Sequence, residues 1–297
     1  MKNTNKIKRS LGENIFDGVN YLILFLLMAV TVYPLLHVLF ASLSNPTSYA
    51  LHTGLLFWPK DFSLVAYEAV ADNPMIFRGY ANTILIVVSG TVINIIMTSL
   101  GAYVLSRPNL PYKRLMNLFI MFTMFFSGGL IPSYLVNSSL GFIDSYWALL
   151  LPGAISTYNM IVMRTSFESI PISLEESALI DGANELRVLI SIILPLSMPV
   201  IAVMILFYGV AHWNSWFGAM IYLRTREMYP LQLILREILV ENDLNNMTTN
   251  VGSLDKEPIG ETIKFATIVV ATVPILLVYP FLQKYFTKGV MIGAVKG

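Results

Sequence analysis

EESALIDGANELRVLISIILP, Glu175 to Pro195, lies between two long apolar runs, yet it carries Glu175, Glu176, Asp181, Glu185 and Arg187 and a central Asp181-Gly182 break. Just before it, Pro171 and Ser173 mark a helix start, with Ser173 as N-cap and Glu176 three residues on as its capping-box partner. Gly182 supplies the left-handed C-cap that ends this helix after about two turns. A second helix begins near Asn184, with Leu186, Leu189, Ile190 and Ile193 on one face by helical spacing, and Pro195 closes it. The expected product is two short helices joined at a glycine elbow, polar on one side and apolar on the other, held at a membrane surface.

The membrane follows from composition. Of 297 residues, 56 % are apolar and 12 % charged, against about a quarter charged in an average soluble domain. Apolar runs long enough to cross a hydrocarbon core of about 30 Å recur along the whole chain. They predict an all-α membrane protein, one domain over residues 1–297, with six spans: Val19 to Leu43, Tyr80 to Leu105, Leu115 to Val136, Ser145 to Phe167, Leu196 to Leu223, and Glu261 to Tyr285. Residues 168–195 form the charged segment between the fourth and fifth. An even number puts both termini on one side. Twelve of the 19 Lys and Arg residues flank that side, among them Lys2, Lys6, Lys8, Arg9, Arg107, Lys113, Arg114, Arg164 and Arg187. The positive-inside rule therefore places both termini and the charged segment in the cytoplasm. The basic start, MKNTNKIKRS, precedes an apolar run too long for a signal-peptide core, so that run is the first span.

Several function classes fall away. A net charge of +1 leaves no nucleic-acid footprint, and the absence of cysteine removes disulfides and thiolate metal sites. No G-x-x-x-x-G-K-[ST] loop is present, so the chain has no such ATP site of its own. Neither H-E-x-x-H, nor G-x-S-x-G, nor a pair of intramembrane carboxylates is present, so no catalytic residue is assigned. His212 finds no partner at ligand spacing in His37 or His52, so no metal site is assigned either. An ATP-independent secondary transporter or channel remains as the rival reading, although no acidic residue lies deep in any span. Prolines within the spans (Pro34, Pro152, Pro199, Pro274, Pro280) predict kinks, or reflect only how common proline is in membrane helices.

Glu176, Ala178, Gly182, Ile192, Leu194 and Pro195 fall on the pattern E-A-A, three residues, G, nine residues, I-x-L-P, with Ser177 replacing the first alanine. That pattern resembles the coupling segment of binding-protein-dependent ABC importer permeases. FSLVAYEAV with YANTILIVV, HWNSWF, and the ending KYFTKGVMIGAVKG extend the resemblance over almost the whole chain. They are similar to sugar-importer permeases of the maltose type, nearest the subgroup for large plant or algal oligosaccharides.

The resemblance implies an inner-membrane transport subunit of a bacterium rather than an enzyme. In the family the segment docks in a cleft of a cytoplasmic ATPase. Carried over, Glu176 is the ion-pairing residue, Gly182 the elbow beside Asp181, and Ser177, Ala178, Ile192, Leu194 and Pro195 the surrounding packing and turn. A glutamate that only caps its own helix is the plainer reading of Glu176. The implied partners are a sister permease forming a heterodimer, two ABC ATPase subunits holding ATP and Mg, an extracytoplasmic solute-binding protein, and membrane lipid. For the sugar path, FYGVAHWNSWFGAMIYL places Tyr208, His212, Ser215, Trp216, Ala219 and Tyr222 on one helical face, flanked by Trp213 and Asn214. Aromatic faces stack on sugar rings and amides take hydroxyls, but Trp and Tyr also mark membrane interfaces. Asn94 and Asn159 are further lining candidates, with interhelical hydrogen bonding as the alternative. The loop from Arg224 to Gly260, with Arg226, Arg236, Glu237, Glu241 and Asp243, faces the solute-binding protein by the same resemblance, or is simply solvated.

Overall fold

The computed structural model describes residues 10–240 and 260–277. The N-terminal basic cluster before Ser10, Glu241 and Asp243, Pro280, the end of the sixth expected span and the KYFTKGVMIGAVKG tail lie outside the described residues. The chain falls into two compact units.

The first unit contains α1 (Leu11–Ser42), α2 (Pro46–Ala50) and α3 (Val65–Ala71), with residues 260–270. Two of its helices, α1 and α2, start where the sequence offers side-chain caps. Ser10 and Glu13 form a capping box on α1, and Asn45 caps α2 with Pro46 in the first position. The loop after α1 folds back on the end of that helix: the Tyr33 hydroxyl within it accepts from the Leu56 amide at 2.9 Å, and Ser44 Oγ just after it from the Lys60 amide at 2.9 Å. An isolated antiparallel bridge joins Ser44 and Phe62. No strand occurs among the described residues, so the fold is all helical.

The second unit is built around α4 (Pro74–Ser106), again started by an Asn-Pro pair, Asn73-Pro74. Its 33 residues give a rod of about 50 Å at 1.5 Å per residue. Around it lie α5 (Lys113–Phe125), α6 (Leu130–Ser139), α7 (Trp147–Leu150), α8 (Thr157–Glu168), α9 (Ile172–Ile180), α10 (Glu185–Val188), α11 (Leu194–Leu196), α12 (Met198–Trp213), α13 (Phe217–Tyr222) and α14 (Leu231–Val240). The last described helix, α15, covers Gly260–Leu277. One core joins α4, α8, the charged segment and α12 through Ala102, Tyr103, Met163, Phe167, Val188, Leu189, Ile193 and Met204, all buried.

Among the described residues, three helices are long and apolar enough to cross a membrane: Gly12–Ser42, Pro74–Ser106 and Gly260–Leu277. The expected third span is broken. α5 and α6 meet at 110°, because Ser127-Gly128-Gly129 lies between them and Gly129 takes φ +82°. The expected fourth span is interrupted as well, by a turn at Pro152-Gly153 between α7 and α8. The fifth begins with a bent pair, Glu185–Leu196 and Met198–Trp213, at 87°. With each bent pair taken as one crossing, length and composition allow up to five spans among the described residues. Pro34 sits inside α1, whereas Pro199 lies in the first turn of α12, where a missing amide costs nothing, and Pro152 lies in a turn.

Candidate functional site

The charged segment folds as two short helices on a left-handed glycine. At the end of α9 the Gly182 amide donates to the Leu179 carbonyl (3.0 Å) and the Ala183 amide to the Ala178 carbonyl (2.9 Å), while Gly182 takes φ +84°. These are the two crossed bonds of a Schellman close. Asn184 then caps α10, its side-chain oxygen accepting from the Arg187 amide at 2.8 Å.

The expected capping box at the start does not form. The helix begins at Ile172 after Pro171, with no side-chain cap bond, and Ser173 sits inside its first turn. Proline's fixed φ starts the helix and displaces serine from the cap position. The expected apolar face on the second helix also differs. Leu189 and Ile193 are buried, but Leu186 and Ile190 are exposed, and Val188 takes the inner place. A π turn over Leu189–Ile193 causes this, the Leu194 amide reaching the Leu189 carbonyl. Pro195 would press on the carbonyl of Ser191, in the middle of that turn, and the wider spacing relieves it. Pro195 therefore does not close the helix, which runs on to Leu196 and breaks at Ser197.

Burial divides the segment into a held face and a free one. Glu175 and Glu176 project about 100° apart on a helix, so one carboxylate turns inward and its neighbour outward. Glu175 is 8 % exposed and pairs with Arg107 at the end of α4. The Tyr103 hydroxyl lies against both Glu175 and Glu185, and the Arg107 guanidinium stacks 4.4 Å from the Tyr103 ring. Ala178 and Leu194 pack on the buried core. Glu176, Ser177, Asp181 and Gly182 face outward, and Ile192 is half-buried. Ile180 is 86 % exposed, with Leu179, Leu186 and Ile190 exposed beside it. The outward face of the elbow is therefore acidic and studded with exposed apolar side chains.

The sequence-predicted path residues are placed differently. α12 ends at Trp213 and α13 starts at Phe217, so Tyr208, His212, Ser215, Trp216, Ala219 and Tyr222 do not share one helical face; Asn214 turns the chain, its amide donating to the Val210 carbonyl at 2.9 Å. Tyr208 is buried, bonded to Thr98 at 2.7 Å and accepting from the Ser156 amide. Asn94, 1 % exposed, donates to the Gly153 carbonyl and accepts from His212 Nε2, each at 2.6 Å, the ring tautomer being set by that acceptor. Asn159 is buried in the first turn of α8, its backbone amide capped by Ser156. Trp213 lies against Tyr80 and edges an apolar groove of about 610 Å³ between α4, α12 and residues 274–275. Trp216, half-buried, carries the Arg236 guanidinium 3.7 Å over its ring.

Other groups had no separate signal in the sequence. Residues 231–240 of the expected polar loop form α14, whose Leu231, Leu233, Ile234, Leu235 and Ile238 are buried. Its first amide donates to Thr83 Oγ1 at 2.8 Å. Asp144, itself at φ +60°, caps the next loop by accepting from the Arg224 and Thr225 amides and the Thr225 hydroxyl. The Thr225 hydroxyl, then the two amides, holds that carboxyl below the usual carboxylate range.

Residues 91–292 match the family described as "Binding-protein-dependent transport system inner membrane component". The chain is 42 % identical over 286 residues to the polygalacturonan/rhamnogalacturonan transport system permease protein YtcP of Bacillus subtilis (strain 168), covering 96 % of this chain and 99 % of the relative. It is 43 % identical over 284 residues to protein LplC of the same strain, covering 95 % of each. A solved structure of a bacterial ABC transporter involved in import of the acidic polysaccharide alginate superposes with a TM-score of 0.86 at 34 % identity, over 95 % of this chain and 100 % of that one. The elbow at Glu176 to Pro195, the helical membrane fold and these matches agree: the chain belongs to the binding-protein-dependent transport system inner membrane component family, as a multi-pass permease subunit of an ABC importer for sugars and not an enzyme.

Proposed function

We propose that this subunit imports acidic oligosaccharides, and that its elbow, residues 168–195, is the part gripped by a cytoplasmic ATPase. The observation that carries the coupling role is the free face of the elbow. Glu176 and Asp181 stand outward beside an isoleucine left almost wholly exposed, on a backbone fixed by Gly182. An exposed apolar side chain ringed by charge is the anatomy of an interface anchor. Glu176 forms the ion pair with the ATPase, and Ile180 fills its cleft. ATP and Mg are bound there, in two copies of that partner.

The substrate class rests on relatives named for polygalacturonan, rhamnogalacturonan and alginate transport. It also rests on Arg236, which stacks on Trp216 and enters no ion pair among the described residues. An aromatic ring with a cation beside it suits a sugar ring bearing a carboxylate. Asn214 and Trp216 are the path residues best placed to meet sugar; Tyr208, His212, Asn94 and Asn159 hold the helices behind them, with Trp213 at the groove. Six spans, one domain over 1–297, both termini in the cytoplasm, a sister permease completing a heterodimer, and an external solute-binding protein over residues 224–260 complete the assembly.

The test is reconstitution of the whole importer in proteoliposomes with a Glu176→Lys variant. Oligogalacturonate uptake driven by ATP is expected in wild type, with the variant inserted in the membrane but unable to transport. Normal uptake by the variant contradicts the coupling role; uptake of neutral but not acidic oligosaccharides contradicts the substrate class.

A further inference from the structure

Resting on the reading of the elbow as the ATPase handle, we propose that Arg107, Tyr103, Glu175 and Glu185 form a latch that makes elbow and α4 move as one body. They are positioning residues: none of them touches substrate or nucleotide.

The two arms of the elbow meet at Gly182, where nothing lies within 4 Å of the position of a side chain, so the turn itself is held only by its backbone bonds. A force applied to the free face of α9 would load those few backbone bonds alone if neither arm were held elsewhere. Both arms are instead tied to the same turn of α4. Tyr103 and Arg107 are four residues apart, so they lie one above the other on a single helix face. Glu175 comes to them from α9 and Glu185 from α10, and the Tyr103 hydroxyl lies against both carboxylates. Arg107 closes the set by pairing with Glu175, stacking on Tyr103 and donating to Ser106 Oγ at 2.9 Å.

Apolar packing of Ala178 and Leu194 on the core resists separation but not sliding, because it has no direction. Charge-assisted hydrogen bonds have direction, and a half-buried pair is screened less than one in water. The load then passes up α4, which is bonded to α12 through Thr98 to Tyr208 and through Asn94 to His212. Those contacts lie two and three turns above the latch. The inward glutamate thus serves transmission and the outward one docking, which gives the consecutive acids Glu175 and Glu176 separate tasks.

The experiment measures sugar imported per ATP hydrolysed in the reconstituted complete importer, together with copurification of the ATPase subunits. Arg107→Glu and Glu175→Arg are expected to keep the ATPase bound and hydrolysing, while sugar per ATP falls at least about tenfold, because reversing one member sets two like charges against each other at the latch. The double exchange, Arg107→Glu with Glu175→Arg, is expected to restore at least half of the wild-type ratio. Tyr103→Phe keeps the packing and removes only the bridge, so a smaller loss is expected. If the single variants fail to fold, Tyr103→Phe and the double exchange decide alone. Assembled variants with a wild-type ratio, or a double exchange no better than the singles, would overturn the latch. Loss of ATPase binding only with Glu176→Lys leaves the docking reading standing whichever way the latch falls; wild-type docking by Glu176→Lys would remove the reading beneath it.

Discussion

Gly182 is the residue on which the elbow's geometry turns. It takes φ +84° with open space around it, so Gly182→Ala introduces no clash and only left-handed strain, about 1 kcal/mol. A small loss of thermal stability is expected, with Gly182→Asn closer to wild type, since asparagine tolerates that conformation; equal losses would show that something other than φ is at work. Gly90 is the opposite case. A Cβ there would come within 2.5 Å of His212 Nε2. Gly90→Ala should cost about 1–3 kcal/mol by overpacking, and Gly90→Ala with His212→Ala should cost less than the sum of the singles. A strictly additive result would rule out the clash. Asp144 gives a pH effect. Its carboxyl is depressed in the folded state, so the stability it contributes is present above its unfolded value and is lost as pH falls through the lower folded one. Protection of the Arg224 and Thr225 amides from hydrogen exchange, relative to the intrinsic rate at each pH, should therefore fall only under acid conditions, below the usual carboxylate range. In Asp144→Asn that protection should be low and should not change with pH there.

Among the elements, α14 holds to α4 at two points. Gly79 admits it closely, since a Cβ there would meet Ile234 Cδ1 at 2.6 Å and the Leu231 backbone at 3.1 Å, and Thr83 accepts its first amide. Thr83→Val leaves a buried donor unpaired, worth about 1–3 kcal/mol, and should raise hydrogen exchange along α14 without disturbing α12; unchanged exchange would mean that α14 is held by its apolar face alone. The sequence showed α14 only as part of a polar loop, because its charged neighbours masked a ten-residue amphipathic pattern. Breaks were similarly hard to read. Gly128-Gly129 and Ser197 each interrupt an apolar run whose hydropathy continues unchanged on both sides, and hydropathy records composition rather than direction. The elbow was legible down to its caps at Gly182 and Asn184, because glycine and asparagine leave local chemical signatures. Its start was misplaced by two residues, since proline and serine compete for the same role.

For the whole molecule, composition pointed to a membrane protein, and the pattern from Glu176 to Pro195 carried the resemblance to the family that the matches show. Neither revealed that Glu175 is the buried acid. That requires Tyr103 and Glu175, 72 residues apart in sequence, to meet in space. The single helical face expected for Tyr208 to Tyr222 was misread for a related reason: a helical wheel assumes one continuous helix, and the chain breaks at Asn214. The account depends on the free face of the elbow being covered by the ATPase. The natural chain has no cysteine, so Ile180→Cys provides a single labelling site without background. Its reaction with a membrane-impermeant maleimide should occur only from the cytoplasmic side of inside-out vesicles and should be blocked when the ATPase subunits assemble. Labelling from the outside, or labelling that the ATPase leaves unchanged, would contradict it.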